Sequence, residues 1–257
     1  HGGGGRLSAE LISALFVPSF SGTELAGVLQ QLGDSAVLDI AGMKLAFSTD
    51  SYVVRPRFFP GGNVGDLAIN GTVNDLAVSG ATPLALSVGL ILEEGMPLDE
   101  LGVIAETMGA AARTAGVSIV AGDTMVDSGS GDGVYIHTAG IGLVRPGLEL
   151  GPQQVRPGDK ILVSGPIAAH GIAVLSVRDG LEFGSDIVTD SQPLNGVIAA
   201  LLDSGAEVSM MRDPTRGGVA ATLNEIADAA GVGVQIVESS VPVADDVRAA
   251  CAFLGLD

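Results

Sequence analysis

Aspartates stand at five points of the sequence where a carboxylate could serve one shared site. Asp34 precedes a predicted strand, and Asp50 and Asp123 end predicted strands. Asp213 lies ahead of a predicted helix, and Asp75 lies inside one. Strand ends of α/β proteins commonly face one crevice, and Mg²⁺ prefers several carboxylate or phosphate oxygens that converge on one point. The five aspartates therefore suggest a site for a metal ion and a phosphate-bearing ligand.

Most of these aspartates also have an ordinary structural interpretation. Aspartate commonly caps helices and forms turns, so Asp34 and Asp213 could be caps and Asp123 could form an Asx turn. Asp75 is less easily explained in this way, because aspartate is disfavoured in the middle of a helix and the neighbours of Asp75 are apolar. Both interpretations stay open for the other aspartates, and Asp75 is the strongest candidate.

Two glycine-rich segments could approach a phosphate group. In MRDPTRGG, Arg212 and Arg216 can contact phosphate through paired hydrogen bonds, and Gly217 allows close approach at the start of a helix. A plain helix start is the alternative for this segment. The glycines Gly2–Gly5 are either a flexible terminus or a mobile flap that closes on an anion through backbone N–H groups. Neither segment is a P-loop, because no lysine follows the required glycine spacing.

The composition excludes several other classes of function. The net charge of −18 at pH 7 repels nucleic acid, and with 12 basic residues in 257 a polyphosphate ligand needs a divalent cation to supply positive charge. The uncharged run at 76–92 contains glycine and proline and is shorter than the span of about 20 residues that crosses a membrane. The single cysteine, Cys251, suits a reducing compartment. We therefore expect a cytoplasmic protein that binds neither nucleic acid nor a membrane.

Strands and helices are predicted to alternate in both halves of the chain, which favours α/β or α+β lobes. In the first half we expect two strands with a turn near Ala41 and Gly42, a helix at 63–80, a buried strand at 84–92, a helix at 98–115, a buried strand at 117–121 and a long strand at 134–144. In the second half we expect strands at 161–164 and 232–237 and helices near 171–178, 194–202, 218–230 and 243–254.

A junction rich in proline and glycine separates the two halves. It occupies RPGLELGPQQVRPGD, so we expect one domain at residues 1–147 and a second at residues 158–257. The second half is the shorter one and ends directly after a predicted helix. We therefore expect the second domain to be incomplete.

Several longer segments together resemble one family. HGGGGR, STDSYVV, FFPGGNVGDLAINGTVNDLAVSGA, AGVSIVAGDT, DGVYIHTAGIG and MRDPTRGG are similar to the HypE family of hydrogenase maturation factors, and the similarity extends over essentially the whole chain. That family is related to the aminoimidazole ribonucleotide (AIR) synthetases and the selenophosphate synthetases. The resemblance implies a PurM-like fold of two α/β lobes. The first lobe would bind ATP and form a homodimer with a shared β-barrel, and the C-terminal lobe would here be truncated.

The resemblance also implies an activity. It is the ATP- and Mg²⁺-dependent dehydration of a carbamoyl group, carried on a C-terminal cysteine, to a thiocyanate that supplies the cyanide ligands of nickel–iron hydrogenase. The implied partners are the carbamoyltransferase HypF and the HypC–HypD complex. Two alternatives stay open: a small-molecule kinase or synthetase of the same superfamily, and a non-catalytic nucleotide-binding scaffold.

Matching the motifs residue by residue assigns roles to the aspartates. The resemblance implies metal ligands at Asp34, Asp50, Asp75 and Asp213, and catalytic roles for Asp75, Asp123 and Asp213. The implied nucleotide contacts are Gly2, Gly3, Gly4, Gly5, Thr49, Asp50, Asn74, Asp75, Gly122, Asp123, Thr124, Arg216 and Gly217.

The sequence departs from the family pattern at three places. Met125 stands where lysine is usual after GDT, and Ala169 stands where aspartate is usual before HG. The Pro-Arg-Ile-Cys tail of the family is not in this sequence, and Cys251 matches a helix position instead. We therefore expect this chain to bind ATP without carrying the carbamoyl group itself. The loss of the lysine is expected either to weaken phosphate binding or to change how the amide is activated.

Overall fold

The computed structural model describes residues 10–20, 33–129, 133–181, 183, 186–215 and 217–256. The strands are β1 (Ala36–Ile40), β2 (Met43–Tyr52), β3 (Phe58–Phe59), β4 (Gly62–Asn63), β5 (Ala81–Glu93), β6 (Ser118–Asp127) and β7 (Val134–Val144). The α-helices are α1 (Val17–Phe20, after a π-helical turn at Ile12–Phe16), α2 (Val64–Val78), α3 (Leu98–Ala115), α4 (Ala169–Arg178), α5 (Asn195–Asp203), α6 (Gly218–Ala230) and α7 (Asp245–Leu254).

A five-stranded sheet in the order β1-β2-β7-β5-β6 forms the centre of the first lobe. β5 and β6 run parallel, and the other neighbours are antiparallel. A parallel pair needs a crossover connection, which α3 supplies. β1 and β2 are joined instead by a tight turn in which Ala41 and Gly42 have left-handed φ angles of 53° and 80°. Two such residues match the twist of a hairpin, and the predicted turn is confirmed.

The core of the first lobe lies between one face of this sheet and the helices α2 and α3. Side chains of β7 alternate between buried and less buried positions, as expected for a strand with one covered face. Ile136 from β7, Leu76 from α2 and Ile104 from α3 are fully buried in this core. The opposite face of the sheet is left uncovered by the described residues and carries exposed apolar side chains, including Phe47 and Ile141.

Capping residues fix the ends of the two long helices. The side chain of Asn63 accepts a hydrogen bond from the N–H of Gly65, and the side chain of Asp66 accepts one from the N–H of Asn63, so that α2 begins with a capping box. α3 ends at Gly116, whose φ of 71° is left-handed. The uncharged run at 76–92 is divided between α2 and β5. Among the described residues, none of the helices has both the length and the apolar character needed to cross a membrane.

The second lobe consists of helices α4 to α7 joined by long irregular segments. Its small core includes Ile172, Ile187 and Val247. The strands predicted at 161–164 and 232–237 are wrong, because neither segment pairs with another strand among the described residues. Their apolar side chains are largely exposed, and Leu162 is 80% exposed. These segments have the composition of strands but lack the neighbouring strand that a ladder requires.

β6 is the second place where the structure differs from the prediction. The buried strand expected at 117–121 is instead a longer strand that is exposed along its whole length. β6 lies at the edge of the sheet beside β5, and none of the described elements pairs with its free side. Val120 and Val126 are consequently 68% and 65% exposed.

The two lobes meet along α2 and the end of α3. The N–H of Leu194 donates to the side chain of Asn74 on α2 at 2.8 Å. The side-chain amide of Asn195 donates to the carbonyl oxygen of Ala115 at the end of α3, also at 2.8 Å. One face of α2 therefore packs on the sheet while another carries the second lobe.

Gly71 and Gly102 form a matched pair for testing how α2 packs against the sheet. A β-carbon at Gly71 in α2 would clash with the hydroxyl of Tyr52, whereas one at Gly102 in α3 would meet no atom within 4 Å. We expect Gly71→Ala to destabilise the protein by about 1–3 kcal/mol through overpacking. Gly102→Ala should stabilise it by about 0.5–1 kcal/mol, because alanine is the better helix former. Urea denaturation checks both signs, and equal effects of the two changes would contradict this account.

Candidate functional site

Three aspartates converge where the two lobes meet. Asp34 lies in the loop before β1, Asp75 lies on α2 and Asp213 lies in the loop before α6. One carboxylate oxygen from each lies within 4.8 Å of the other two, and all three side chains are half-buried. The structure thus brings together three of the four predicted metal ligands. We call them the aspartate cluster.

The members of the aspartate cluster destabilise one another's charges. Burial, and next the charge of Asp213, raise the pKa of Asp75 to about 8. The same two causes raise the pKa of Asp34 to about 6, and burial raises the pKa of Asp213. Arg212 compensates part of this charge, because its Nε lies 3.0 Å from Oδ1 of Asp34. An added cation would give every carboxylate an attractive partner.

Ser48 connects the aspartate cluster to the sheet. Its side chain is buried on β2, and its hydroxyl oxygen lies 2.6 Å from Oδ2 of Asp75 and 3.1 Å from the carbonyl oxygen of Asp34. The hydroxyl therefore links α2 to the loop that carries a second cluster member. Ser48 is not among the residues predicted for the site, although one signal was available: residues two apart in a strand share a face, so Ser48 lies on the side of Asp50.

Asp50 lies beside the aspartate cluster rather than within it. It is exposed on β2, and it is not among the described carboxylates that lie within 4.8 Å of one another. Burial is the largest cause of the raised pKa values of Asp75 and Asp213, and the negative charge of Asp50 also raises both. Asp50 therefore acts on the cluster electrostatically, and its role as a metal ligand stays a prediction.

Thr49 lies on the other face of β2. Its hydroxyl oxygen is 3.0 Å from Nε2 of His137 and 3.1 Å from the carbonyl oxygen of Thr138. Because successive residues of a strand point to opposite faces, Thr49 is on the uncovered side of the sheet while Ser48 faces the cluster. Its predicted contact with a nucleotide would therefore involve that uncovered side.

The predicted residues of the GDT segment lie together on β6. Gly122, Asp123 and Thr124 are all exposed. The sequence predicts that Asp123 ends its strand. In the structure Asp123 lies inside β6, opposite Gly89 of β5. The three residues border an open groove of about 700 Å³ between β6 and α3, whose apolar wall includes Met108. They are separate from the aspartate cluster, so the catalytic role of Asp123 stays a prediction.

The remaining predicted contacts lie at the second lobe or outside the described residues. The side chain of Asn74 on α2 contacts the backbone of the second lobe. Gly217 precedes α6 with a left-handed φ of 88°, and a β-carbon there would lie 2.6 Å from that of Ala221, so glycine is required at the start of that helix. Gly2–Gly5 and Arg216 lie outside the described residues.

Comparison with known proteins identifies the family. The model of the N-terminal domain of AIR synthase related proteins matches residues 32–144, and the model of their C-terminal domain matches residues 156–255. A carbamoyl dehydratase HypE from Azotobacter vinelandii is 51% identical over 258 residues, which cover 100% of this chain and 74% of the relative. The chain belongs to the HypE family.

Solved HypE structures share this fold. One HypE in complex with ATP has a TM-score of 0.81 at 48% identity, covering 100% of this chain and 75% of that chain. The structure of a HypE–HypF complex gives a TM-score of 0.89 at 44% identity, covering 96% of this chain and 79% of the other. The predicted α/β fold of the AIR synthase related superfamily is therefore confirmed.

The donor set of the aspartate cluster fits a divalent cation. Mg²⁺–oxygen distances are about 2.0–2.1 Å, so two ligands on opposite sides of the ion are about 4.2 Å apart. At most one pair of the three oxygens can lie on opposite sides of the ion, and adjacent ligands of an octahedral Mg²⁺ are about 2.9 Å apart. The three carboxylate oxygens, which lie within 4.8 Å of one another, would therefore have to draw closer together to share the ion. The acidic oxygen donors of the cluster are nevertheless of the kind that Mg²⁺ prefers, and in this HypE family member they could hold the ion once they draw together.

The raised pKa of Asp75 predicts how stability depends on pH in the metal-free protein. The folded state binds this proton with a pKa of about 8, against 3.8 for an ordinary aspartate. The free energy of unfolding should therefore fall as the pH rises from about 4 to about 8. Asp75→Asn removes this titration and should be more stable than the parent at pH 8 by at least about 1.4 kcal/mol, the equivalent of one pKa unit. Urea denaturation in EDTA across this range measures the difference.

Mg²⁺ provides the control for this prediction. A cation that binds only the folded state stabilises it, so Mg²⁺ should raise the melting temperature of the parent and not that of Asp75→Asn. Asp39→Asn changes an exposed carboxylate on β1, outside the aspartate cluster, and should keep the response of the parent. The opposite result is that Asp75→Asn is less stable than the parent at pH 8 while Mg²⁺ raises its melting temperature as much as that of the parent. That result would rule out the cluster as the cation site.

Proposed function

We propose that this chain is an ATP-dependent carbamoyl dehydratase in which Mg²⁺ and the phosphates of ATP bind at the aspartate cluster. The observation that carries the proposal is the convergence of Asp34, Asp75 and Asp213 from two lobes, with carboxylate oxygens within 4.8 Å of one another, in a member of the HypE family. A relative 48% identical to this chain was solved in complex with ATP. The relative from A. vinelandii is named a carbamoyl dehydratase.

The proposed reaction converts the S-carbamoyl group of a cysteine into a thiocyanate. The amide oxygen attacks the γ-phosphorus of ATP, and ADP leaves. The phosphorylated oxygen then leaves as inorganic phosphate while the nitrogen loses its two protons, so that a carbon–nitrogen triple bond forms. The products are the thiocyanate, ADP, phosphate and protons, and no oxidant or reductant is needed.

The residues of the site bind and orient the reactants. Asp34, Asp75 and Asp213 would hold the metal ion, which supplies positive charge to the phosphates when bound. Ser48 keeps the carboxylate of Asp75 in place through its 2.6 Å hydrogen bond. At the start of α6, the backbone N–H groups that follow Gly217 would be the donors to phosphate oxygens.

We infer a homodimer that forms through the uncovered side of the first-lobe sheet. β6 is exposed along its length, and the uncovered sheet face carries apolar side chains such as Phe47 and Ile141. Two copies that join these surfaces would form a shared β-barrel. The second copy would then complete the surroundings of Thr49 and Asp123, which the aspartate cluster of one chain does not include.

Other proteins are proposed to supply the substrate and to receive the product. The solved HypE–HypF complex supports HypF as the partner that loads the cysteine. The HypC–HypD complex is proposed as the acceptor of the cyanide group. The cytoplasm is the proposed compartment, which the single cysteine of the chain suits.

Phosphate release in the presence of a model substrate tests the reaction. The protein with Mg²⁺, ATP and a peptide that ends in S-carbamoylated cysteine should release one phosphate per thiocyanate formed, and the peptide should lose the mass of one water. The unmodified peptide should give only background release. Asp213→Asn should slow phosphate release by about 100-fold or more, as expected when a group that supports transition-state charge is removed.

Two outcomes would contradict the dehydratase proposal. One is the absence of phosphate release with the carbamoylated peptide. The other is phosphate release while the peptide keeps its mass, which would favour transfer to another acceptor or plain hydrolysis of ATP.

Val120→Lys tests the homodimer. Val120 is 68% exposed on β6, and a lysine there would place a charge in the proposed interface. We expect the variant to be monomeric by light scattering where the parent is dimeric, with Kd raised about 100-fold, which corresponds to roughly 2.7 kcal/mol. Leu98→Lys is the control, because Leu98 is 81% exposed at the start of α3, away from the sheet edge. A monomeric parent would overturn the homodimer.

A further inference from the structure

A short segment of the second lobe lies across α2. We call residues 189–194 the strap. At its start, the N–H of Thr189 donates to the carbonyl oxygen of Pro60 at 2.8 Å. In its middle, the side-chain amide of Asn70 donates to the hydroxyl of Ser191 at 3.2 Å. The strap thus follows the surface of the first lobe over its whole length.

Asn74 contacts the backbone of the strap with both ends of its amide. Its Nδ2 donates to the carbonyl oxygen of Gln192 at 3.0 Å, and its Oδ1 accepts from the N–H of Leu194 at 2.8 Å. A paired contact of this kind fixes the backbone itself, whatever the side chains of the strap are. It also occupies a donor and an acceptor of the Asn74 amide.

The strap leads along the chain to Asp213. α5 begins at Asn195, directly after the strap, and packs against α2. The chain then returns from α5 to Arg212 and Asp213. Asp213 has to stay close to Asp75, and when both carboxylates are ionised, charge repulsion opposes the approach of the second lobe. Contacts between the lobes must offset this repulsion.

We propose that Asn74 is a positioning residue that, by holding the strap against α2, keeps Asp213 at the distance from Asp75 that a shared cation requires. This inference rests on the proposed metal site. Asn74 and Asp75 are consecutive in α2, and successive residues of a helix point about 100° apart. Asp75 faces the other carboxylates of the cluster, and Asn74 holds the lobe that supplies Asp213.

Asn70 offers a control on the same helix. It contacts the strap through a single hydrogen bond to a side chain, at 3.2 Å, whereas Asn74 makes two hydrogen bonds to the backbone. Asn70 lies further from Leu194, where the strap enters α5. Asn70→Ala therefore removes a strap contact without releasing the end of the strap that leads to Asp213.

Binding of Mn²⁺ alone, measured by electron paramagnetic resonance without nucleotide, tests the proposal. We expect Asn74→Ala to raise the Kd for Mn²⁺ by about 10- to 100-fold, as is typical when a group that orients a metal ligand is lost. Asn70→Ala should leave the Kd nearly unchanged. Hydrogen exchange at the amide of Leu194 should be faster in Asn74→Ala, because its acceptor is gone. Asn74→Asp keeps an acceptor for that amide and serves as the second variant if Asn74→Ala does not fold.

The decisive measurement repeats the substitution in an Asp213→Asn background. If Asn74 acts by positioning Asp213, Asn74→Ala should weaken Mn²⁺ binding no further there. The same loss in both backgrounds, no loss in either, or a parent that binds no Mn²⁺ would overturn the proposal. A parent that binds Mn²⁺ in this way but releases no phosphate with the carbamoylated peptide would instead overturn the proposed dehydratase activity alone.

Discussion

Repulsion between three carboxylates is the constraint on which the arrangement of the two lobes depends. Asp34, Asp75 and Asp213 bring carboxylate oxygens within 4.8 Å in half-buried surroundings, and the raised pKa values show that the protein alone compensates their charge incompletely. Two of the three belong to the first lobe, one on α2 and one in the loop before β1. The third arrives on the second lobe, so the contacts between the lobes are part of the functional site.

Features encoded by local signals could be predicted from the sequence. The turn at Ala41 and Gly42 and the end of α3 at Gly116 follow from backbone conformations that few residues adopt easily. Asp75 was identifiable because a carboxylate within an apolar helix is unfavourable unless something binds it. Ser48 could not be found in this way, since a serine on a strand is ordinary until its 2.6 Å contact with Asp75 is seen.

The wrong predictions share one physical cause. An apolar segment indicates that a surface is to be covered, and it does not indicate what covers it. The segments at 161–164 and 232–237 are apolar but have no neighbouring strand among the described residues. β6 forms as a strand but stays exposed, so the residues expected at its end, including Asp123, lie on an open surface away from the aspartate cluster.

The open edge of the sheet also has a kinetic consequence. Within the described part of the chain, the outer edge of β6 pairs with no strand and carries exposed apolar side chains, a combination that can pair with another strand that reaches it. If the proposed homodimer forms through this edge, a newly synthesised chain passes through a period in which correct association competes with aggregation. Both processes depend on concentration, so the yield of native protein is decided by how quickly the right surface arrives. The strand proposed to serve in dimer assembly is thus also a strand exposed to misassembly.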